Sequence, residues 1–369
     1  NFKGRWDTVF GWPSTAISTW FNGGLFGGLN VSYTITSGAA ATNDYVGSDG
    51  LSYRSLTFTY TSQITFDQTA DVEVLLIAGG GGGGGSDYAN SAGGGGSGGY
   101  REFGEPPASE TGRGTESKVT VTAGQGLTVT IGGGGTGALG ASGSGHATNG
   151  SLSKIAVTSG SDIVSVAGGA GGSDSGGGAG PAGPSGGGSG AGANSNGLTG
   201  FVVGGAAATY GMNGGNSRYT GAYPGHLSGG GGGGAGGHGN RIVSWTWPVF
   251  SFSGQAHTSG KGEFNDYRTG SNEFRGGGGS NIAIQFGYGT DGSFALKGQQ
   301  GVDFAGGGDG YTTWVIQNTS SVLGTTSEAN AAATANTGGG GGGVATNTGG
   351  VDGGPGGSGV CIIKIPFGN

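Results

Sequence analysis

Residues 72–85 read VEVLLIAGGGGGGG, an apolar strand sequence that runs without a break into seven consecutive glycines. Ordering glycine costs more backbone entropy than ordering any other residue, so such a block stays loose unless something holds it. Comparable blocks recur at 93–96, 132–135, 229–234, 276–279 and 338–343. One reading makes them flexible tethers between folded pieces. The other is a lattice. In polyproline II geometry a chain has three residues per turn, rises ~3.1 Å per residue and makes no hydrogen bonds within itself. Every N–H and C=O then points sideways and needs a partner. With hydrogen as the only side chain, such rods approach closely and bond to neighbours on several sides. Seven glycines at that rise span roughly 20 Å, a plausible layer height. The blocks are spread across most of the chain and are too many to link domains that barely exist. Parallel rods joined by loops account for them better.

The rest of the composition says that part of the chain packs. Glycine supplies 101 of 369 residues, yet hydrophobic residues reach 32% and aromatic residues 9%, too many for plain disorder. A formal net charge of −7 with 9% charged residues leaves no basic stripe for phosphates, so no nucleic-acid partner is expected. No apolar run approaches the ~20 residues of a membrane span, so no membrane insertion is expected. The single cysteine, Cys361 in GVCIIKI, reads as a small buried hydrophobe. No signal peptide is legible, and the chain starts at Asn1 rather than Met, which points to trimming or processing.

Along the chain, residues 1–32 form an aromatic-rich segment holding Trp6, Phe10, Trp12, Trp20 and Phe21. A piece this short cannot bury so many rings in a core of its own. Either it folds back on the chain or it docks into a partner, and these five rings are the assembly candidates. Residues 33–78 alternate with period two: Leu56, Phe58 and Tyr60 share one face, joined by Ile64 and Phe66. Val72 to Ile77 reads as a strand covered on both faces. Residues 79–359 form the glycine-rich region. Within it, 117–131 reads as a β-hairpin, with Val119 and Val121, then Leu127, Val129 and Ile131, alternating with Thr around a glycine turn. Residues 154–169 repeat that logic. Residues 360–369 are a closing strand, expected beside Val72 to Ile77. Helix signals are almost absent. The expected fold is mainly β and irregular: a short β-strand layer leading into a polyglycine II rod lattice with a loop-rich tip.

The order YRSLTFTYTSQITF, VEVLLIAGGGGGGG, VTVTAGQGLTVTIGGGG and finally GGPGGSGVCIIKIP resembles the glycine-rich domain of bacteriophage tail proteins and receptor-binding adhesins. The likeness covers roughly residues 50–366, and LLIAGGGGGG and GGSGV-x-IIKIP are its specific parts. It implies a layered sandwich of polyglycine II rods whose tip loops bind structures on a host cell, and a location on the virion. The partners it implies are a host-cell surface glycan or outer-membrane protein, with other fibre subunits joined through the N-terminal segment. A homo-oligomer is compatible with all of this.

Glycine abundance also manufactures motifs. GPSGG at 183–187 fits a nucleophile elbow, but no strand precedes Ser185 and no His–acid pair follows. GPAGPSG stops after two collagen-like triplets. Asp309 and Asp352 do not keep the register of calcium-binding nonapeptides. His146, His226, His238 and His257 lack metal-ligand spacing. No catalytic residue, metal site or cofactor is expected, and no acid pair suggests a glycan-cleaving enzyme. Residues 209–227 and 240–275 instead combine Tyr, Trp and Arg with Ser, Asn and Gly, the composition of binding loops. The receptor-binding candidates are Tyr100, Arg113, Tyr210, Arg218, Tyr219, Tyr223, Trp245, Trp247, Tyr267 and Phe274. Trp245 and Trp247, one strand period apart, also suit packing over the rods. The leading reading is a non-enzymatic tail-fibre or tail-tip adhesin. Its rivals are a structural filament or virion subunit and, with less support from the irregular loops, an ice-binding protein.

Overall fold

The computed structural model describes residues 30–47, 49–85, 90–104, 116–140, 146–158, 160–172, 332–343, 345–346 and 352–367. Between 200 and 314 it describes 200–202, 211, 214, 217–220, 226–228, 232–235, 244–246, 251–253, 264–265, 267–268, 273–274 and 312–314. The N-terminal half supplies strands β1 (Tyr33–Ser37), β2 (Ala41–Val46), β3 (Ser52–Phe58), β4 (Ser62–Phe66), β5 (Ala70–Ile77) and β6 (Asn90–Ser91). β7 (Tyr100–Phe103), β8 (Val119–Val121), β9 (Gly126–Thr130), β10 (Ser153–Val157) and β11 (Ile163–Ser165) follow. The middle carries short strands: β12 (Gly200–Val202), β13 (Ser217–Thr220), β14 (His226–Ser228), β15 (Ser244–Thr246) and β16 (Ser251–Ser253). Then come β17 (Phe264–Asn265), β18 (Glu273–Phe274), β19 (Thr312–Trp314), β20 (Ala345–Thr346) and β21 (Val360–Pro366). No helix occurs among the described residues.

Two antiparallel sheets form the base. One runs β1-β4-β9-β10-β11, the other β2-β3-β21-β5-β7, with β8 beside β5. Alternation places Leu56, Phe58, Ile64, Phe66, Leu127, Val129, Ile155, Cys361, Ile363 and Ile365 between the sheets as one core. β5 and β21 are apolar on both faces for the reason their sequences suggest. Val74, Leu76, Cys361 and Ile363 face the other sheet, while Leu75, Ile77, Val360 and Ile362 pack in a second cluster behind. They pair antiparallel, Val360 opposite Ile77 and Cys361 opposite Leu76. Burial pushes the Cys361 thiol far above the ordinary thiol range.

Two expectations need correcting. Residues 117–131 do not close a hairpin: β8 pairs with β5, whereas β9 lies between β4 and β10 in the other sheet. The turn between them arches across the sandwich, with Gly124 N–H donating to the Phe66 carbonyl at 2.8 Å. Alternation fixes which side chains face inward, and both arrangements satisfy it. Tyr60 lies beyond the end of β3 and is 51% exposed, so it does not join Leu56 and Phe58 in the core.

At one end of the base, strands become rods. β5 continues into 79–85, β9 into 132–138 and β11 into 166–172, while 93–99, 147–151 and 353–359 lead into β7, β10 and β21. Rod 79–85 lies at the centre. Gly79 and Gly82 donate to Ser151 and Thr148, Gly80 and Gly83 to Gly357 and Gly354, and Gly81 and Gly84 to Gly96 and Gly93, at 2.8–3.0 Å. Its carbonyls accept from Gly168 and Gly171, from Gly135 and Ala138, and from Gly341, over the same distances. Partners repeat every third residue, as a threefold screw requires. The central rod therefore donates to three rods and accepts from three. Falling partner numbers mark the donor contacts as antiparallel, and rising numbers mark the 168–171 and 135–138 contacts as parallel.

The six neighbours close a ring. Their order is 93–99, 166–172, 147–151, 132–138, 353–359 and 338–343, each bonded to the next, for example Gly93 to Gly172 and Gly150 to Gly168. Gly98 donates to Gly338 and completes the circuit at 2.8 Å. Another rod, 232–235, lies outside 93–99, where Gly233 accepts from Ser97 at 2.9 Å. Of the six ring rods only 338–343 is a run of pure glycine. Thr148, Ser151 and Pro355 are exposed, whereas the small residues Ser97, Ala138, Ala147 and Ala170 are buried between rods. The block at 276–279 lies outside the described residues.

Candidate functional site

Rods that rise from the base end at a tip on the far side of the lattice. There β6, which joins rods 79–85 and 93–99, pairs antiparallel with β20, which follows rod 338–343. Beside them lies an antiparallel sheet of order β12-β13-β14-β19, with β14 and β19 packed next to β6. Its register sets Phe201 opposite Arg218 and Tyr219 between Gly200 and Leu227. Arg218 and Tyr219 thus sit in adjacent positions of a strand at the tip. Gly140 N–H, near the end of rod 132–138, donates to Asp352 Oδ1 at 2.8 Å, which ties the turns of two neighbouring rods.

The segment between rods 166–172 and 338–343 also returns to the base. Rod 232–235 brings Ala235 into the cluster with Leu75, Ile77, Tyr100, Val360 and Ile362. β17 and β18 pair antiparallel, Phe264 opposite Phe274, and the turn they flank lies on the same sheet face. Tyr267 in that turn has no exposed surface. Its hydroxyl donates to the Phe103 carbonyl at 3.1 Å, and its own carbonyl accepts from Tyr45 Oη at 2.9 Å. Beneath the ring lies a buried ion pair, Lys364 Nζ to Glu73 Oε2 at 3.0 Å, with Lys118 Nζ 3.2 Å from Glu73 Oε1. Lys364 Nζ also stands 4.2 Å from the centre of the Tyr53 ring, a cation–π contact that helps keep the ammonium buried.

These placements divide the sequence candidates. Tyr267 and Tyr100 are core residues: Tyr100 is 4% exposed, and both rings belong to the cluster behind β5 and β21. That overturns their expected place on an exposed binding surface. A tyrosine ring flanked by Gly, Arg and Asn reads as a loop residue until the sheet that covers it is known. Arg218 and Tyr219 are in β13 at the tip, Trp245 is in β15 opposite Phe252, and Phe274 is in β18. The structure does not gather Tyr219 and Tyr267 into one patch, because one lies at the tip and the other at the base. Arg113, Tyr210, Tyr223 and Trp247 lie outside the described residues, as do Trp6, Phe10, Trp12, Trp20 and Phe21.

Sequence reasoning also passed over the Glu73–Lys364 pair. Period two sets Glu73 in line with Leu75 and Ile77, and Lys364 in line with Val360 and Ile362; the register that places Lys364 opposite Glu73 brings the two onto one face. Among the described residues no group of three or more His, Cys, Asp or Glu side chains could hold a metal ion. What the described arrangement offers is presentation: a rigid block of hydrogen-bonded backbone carrying short strands and turns at one end. A family model for a glycine-rich domain matches residues 55–366. No curated protein matches the sequence.

Proposed function

The chain belongs to the glycine-rich domain family, and from that premise we propose that it is a tail-fibre or tail-tip adhesin of a bacteriophage virion. In this reading it is not an enzyme, and it binds a host-cell surface glycan or outer-membrane protein. The observation that carries the proposal is the position of β13. It sets Arg218 and Tyr219 at the end of a lattice whose own rods present almost no side chains. A scaffold of that kind recognises nothing by itself, so recognition falls to what its tip carries. Residues 209–227 have the Tyr, Arg, Ser and Asn composition of adaptable binding loops. Residues 1–32, with Trp6, Phe10, Trp12, Trp20 and Phe21, are proposed to join the chain to other fibre subunits.

The test is binding of fluorescently labelled protein to a panel of intact bacterial cells, with thermal melts alongside. Tyr219→Ala and Tyr223→Ala should weaken binding while leaving the melting temperature close to wild type. A true hot spot loses ~2 kcal/mol or more on truncation, about thirtyfold in affinity. Unchanged binding after Tyr210, Arg218, Tyr219 and Tyr223 are all replaced by Ala would remove residues 209–227 from consideration.

A further inference from the structure

We infer that the Tyr267–Arg268 turn is a latch that fastens the inserted segment, 173–331, to the base of the scaffold. The scaffold closes without that segment. Both base sheets and the ring of six rods around 79–85 are built from residues outside it. The insert leaves the ring at Gly172 and places β12, β13, β14 and β19 at the tip. It nevertheless sends rod 232–235 and the Tyr267–Arg268 turn to the far face of the sheet that contains β5 and β21.

That turn is held in two ways. The Tyr267 ring fills a socket lined by Leu75, Ile77, Tyr100, Val360 and Ile362. Around it, three scaffold side chains grip backbone carbonyls. Tyr45 Oη donates to Tyr267 O at 2.9 Å, and Asn43 Nδ2 donates to Arg268 O at 2.9 Å. Ser55 Oγ donates to the same Arg268 carbonyl at 3.1 Å. Asn43 and Tyr45 lie on β2, an outer strand of the sheet, and Ser55 lies on its neighbour β3. Gly104, just beyond β7, leaves room for the ring: a Cβ there would stand 2.6 Å from Tyr267 Oη and 2.8 Å from Glu73 Cγ.

A turn recognised through carbonyls and one ring can release without breaking a strand pair or a rod bond of the scaffold. The latch is therefore an opening unit of its own, less stable than the lattice. Seated, it holds the insert at the base beyond what rod 232–235 already supplies. This holds whether or not the chain is an adhesin.

Hydrogen exchange measured by mass spectrometry on the full chain tests it. The variants are Tyr267→Phe, which keeps the ring and loses the bond to Phe103, Gly104→Ala, and Asn43→Ala combined with Ser55→Ala. Each should speed exchange of peptides covering 264–274 at least tenfold, and Tyr267→Phe and the double variant, which do not press on Glu73, should leave 79–85 and 360–366 at the wild-type rate. Equal acceleration in all three regions in Tyr267→Phe or the double variant would make the turn part of one cooperative core. Unchanged exchange at 264–274 in both Gly104→Ala and the double variant would show that the socket does not hold it. Either result overturns the latch.

Discussion

Replacing Gly82 by Ala places a methyl group against the carbonyl of Thr136. A Cβ at residue 82 would approach Thr136 O, Thr136 C and Gly137 N all within 3.0 Å, and none of these is the end of a flexible side chain. Rod 132–138 must shift outward to admit it. That shift strains the bonds from Gly135 to the Gly80 carbonyl and from Ala138 to the Gly83 carbonyl, 2.8 and 3.0 Å long. Overpacking of this kind costs about 1–3 kcal/mol, and two weakened hydrogen bonds add roughly 1 kcal/mol each. The expected loss is about 3–5 kcal/mol. Gly133, in the neighbouring rod 132–138, is the internal control: a Cβ there meets nothing within 4 Å. At such a site Gly→Ala restricts only the unfolded chain and stabilises by ~0.4–1 kcal/mol. The two substitutions, identical in chemistry and placed on rods bonded to each other, should differ in sign. Calorimetric melts of both variants, with amide exchange over 79–85, provide the measurement. Equal stabilities for the two proteins would mean that the rods are not close-packed in solution and would refute the lattice argument.

Lys364→Ala leaves Glu73 buried with Lys118 as its remaining cation, and unfolding studies should show a loss of about 3 kcal/mol. The double variant Lys364→Leu, Glu73→Leu should recover most of that loss, and failure to do so would mean that packing rather than charge sets the cost. The Arg54 guanidinium, bonded to Asp44 at 2.6 and 2.7 Å, holds that carboxyl below its ordinary value of 3.8. The pair's contribution is therefore fully present above pH 3.8 and is lost as the pH falls below it. Asp44→Asn should flatten that part of the acid-unfolding profile slightly, and raised salt should do the same to wild type because the pair is exposed.

Much of the base was legible because its signals are local. Val72 to Ile77 and Val360 to Ile365 announce strands buried on both faces, and their pairing follows from two apolar strands that abut the same glycine region. Glycine blocks at 79–85, 93–96, 132–135 and 338–343 mark rods, since nothing but hydrogen lets backbones approach so closely. The partners of each rod were not legible. One glycine block reads like another, so only the closed set of hydrogen bonds sets the order around the central rod. Rods 147–151, 166–172 and 353–359 escaped notice because their Thr, Ser, Ala and Pro residues break the glycine run. Only the lattice shows which positions face outward, as Thr148, Ser151 and Pro355 do, and which leave room for a buried methyl, as Ala147 and Ala170 do.

The sequence by itself determined that the chain is β and glycine-rod in class, that the segments around Leu56, Ile64, Val72 and Val360 are strands, and where backbones must touch. Those properties depend on side-chain period and on the missing Cβ, and each residue carries them wherever it goes. The tertiary structure decided what meets across distance. It sent β8 and β9 to different sheets, and it placed β21 between β3 and β5. It also turned Tyr267 from an apparent loop residue into a buried one. Its hydroxyl bond to Phe103 spans 164 positions and its carbonyl bond from Tyr45 spans 222, and no local pattern in the sequence encodes a contact made at that separation.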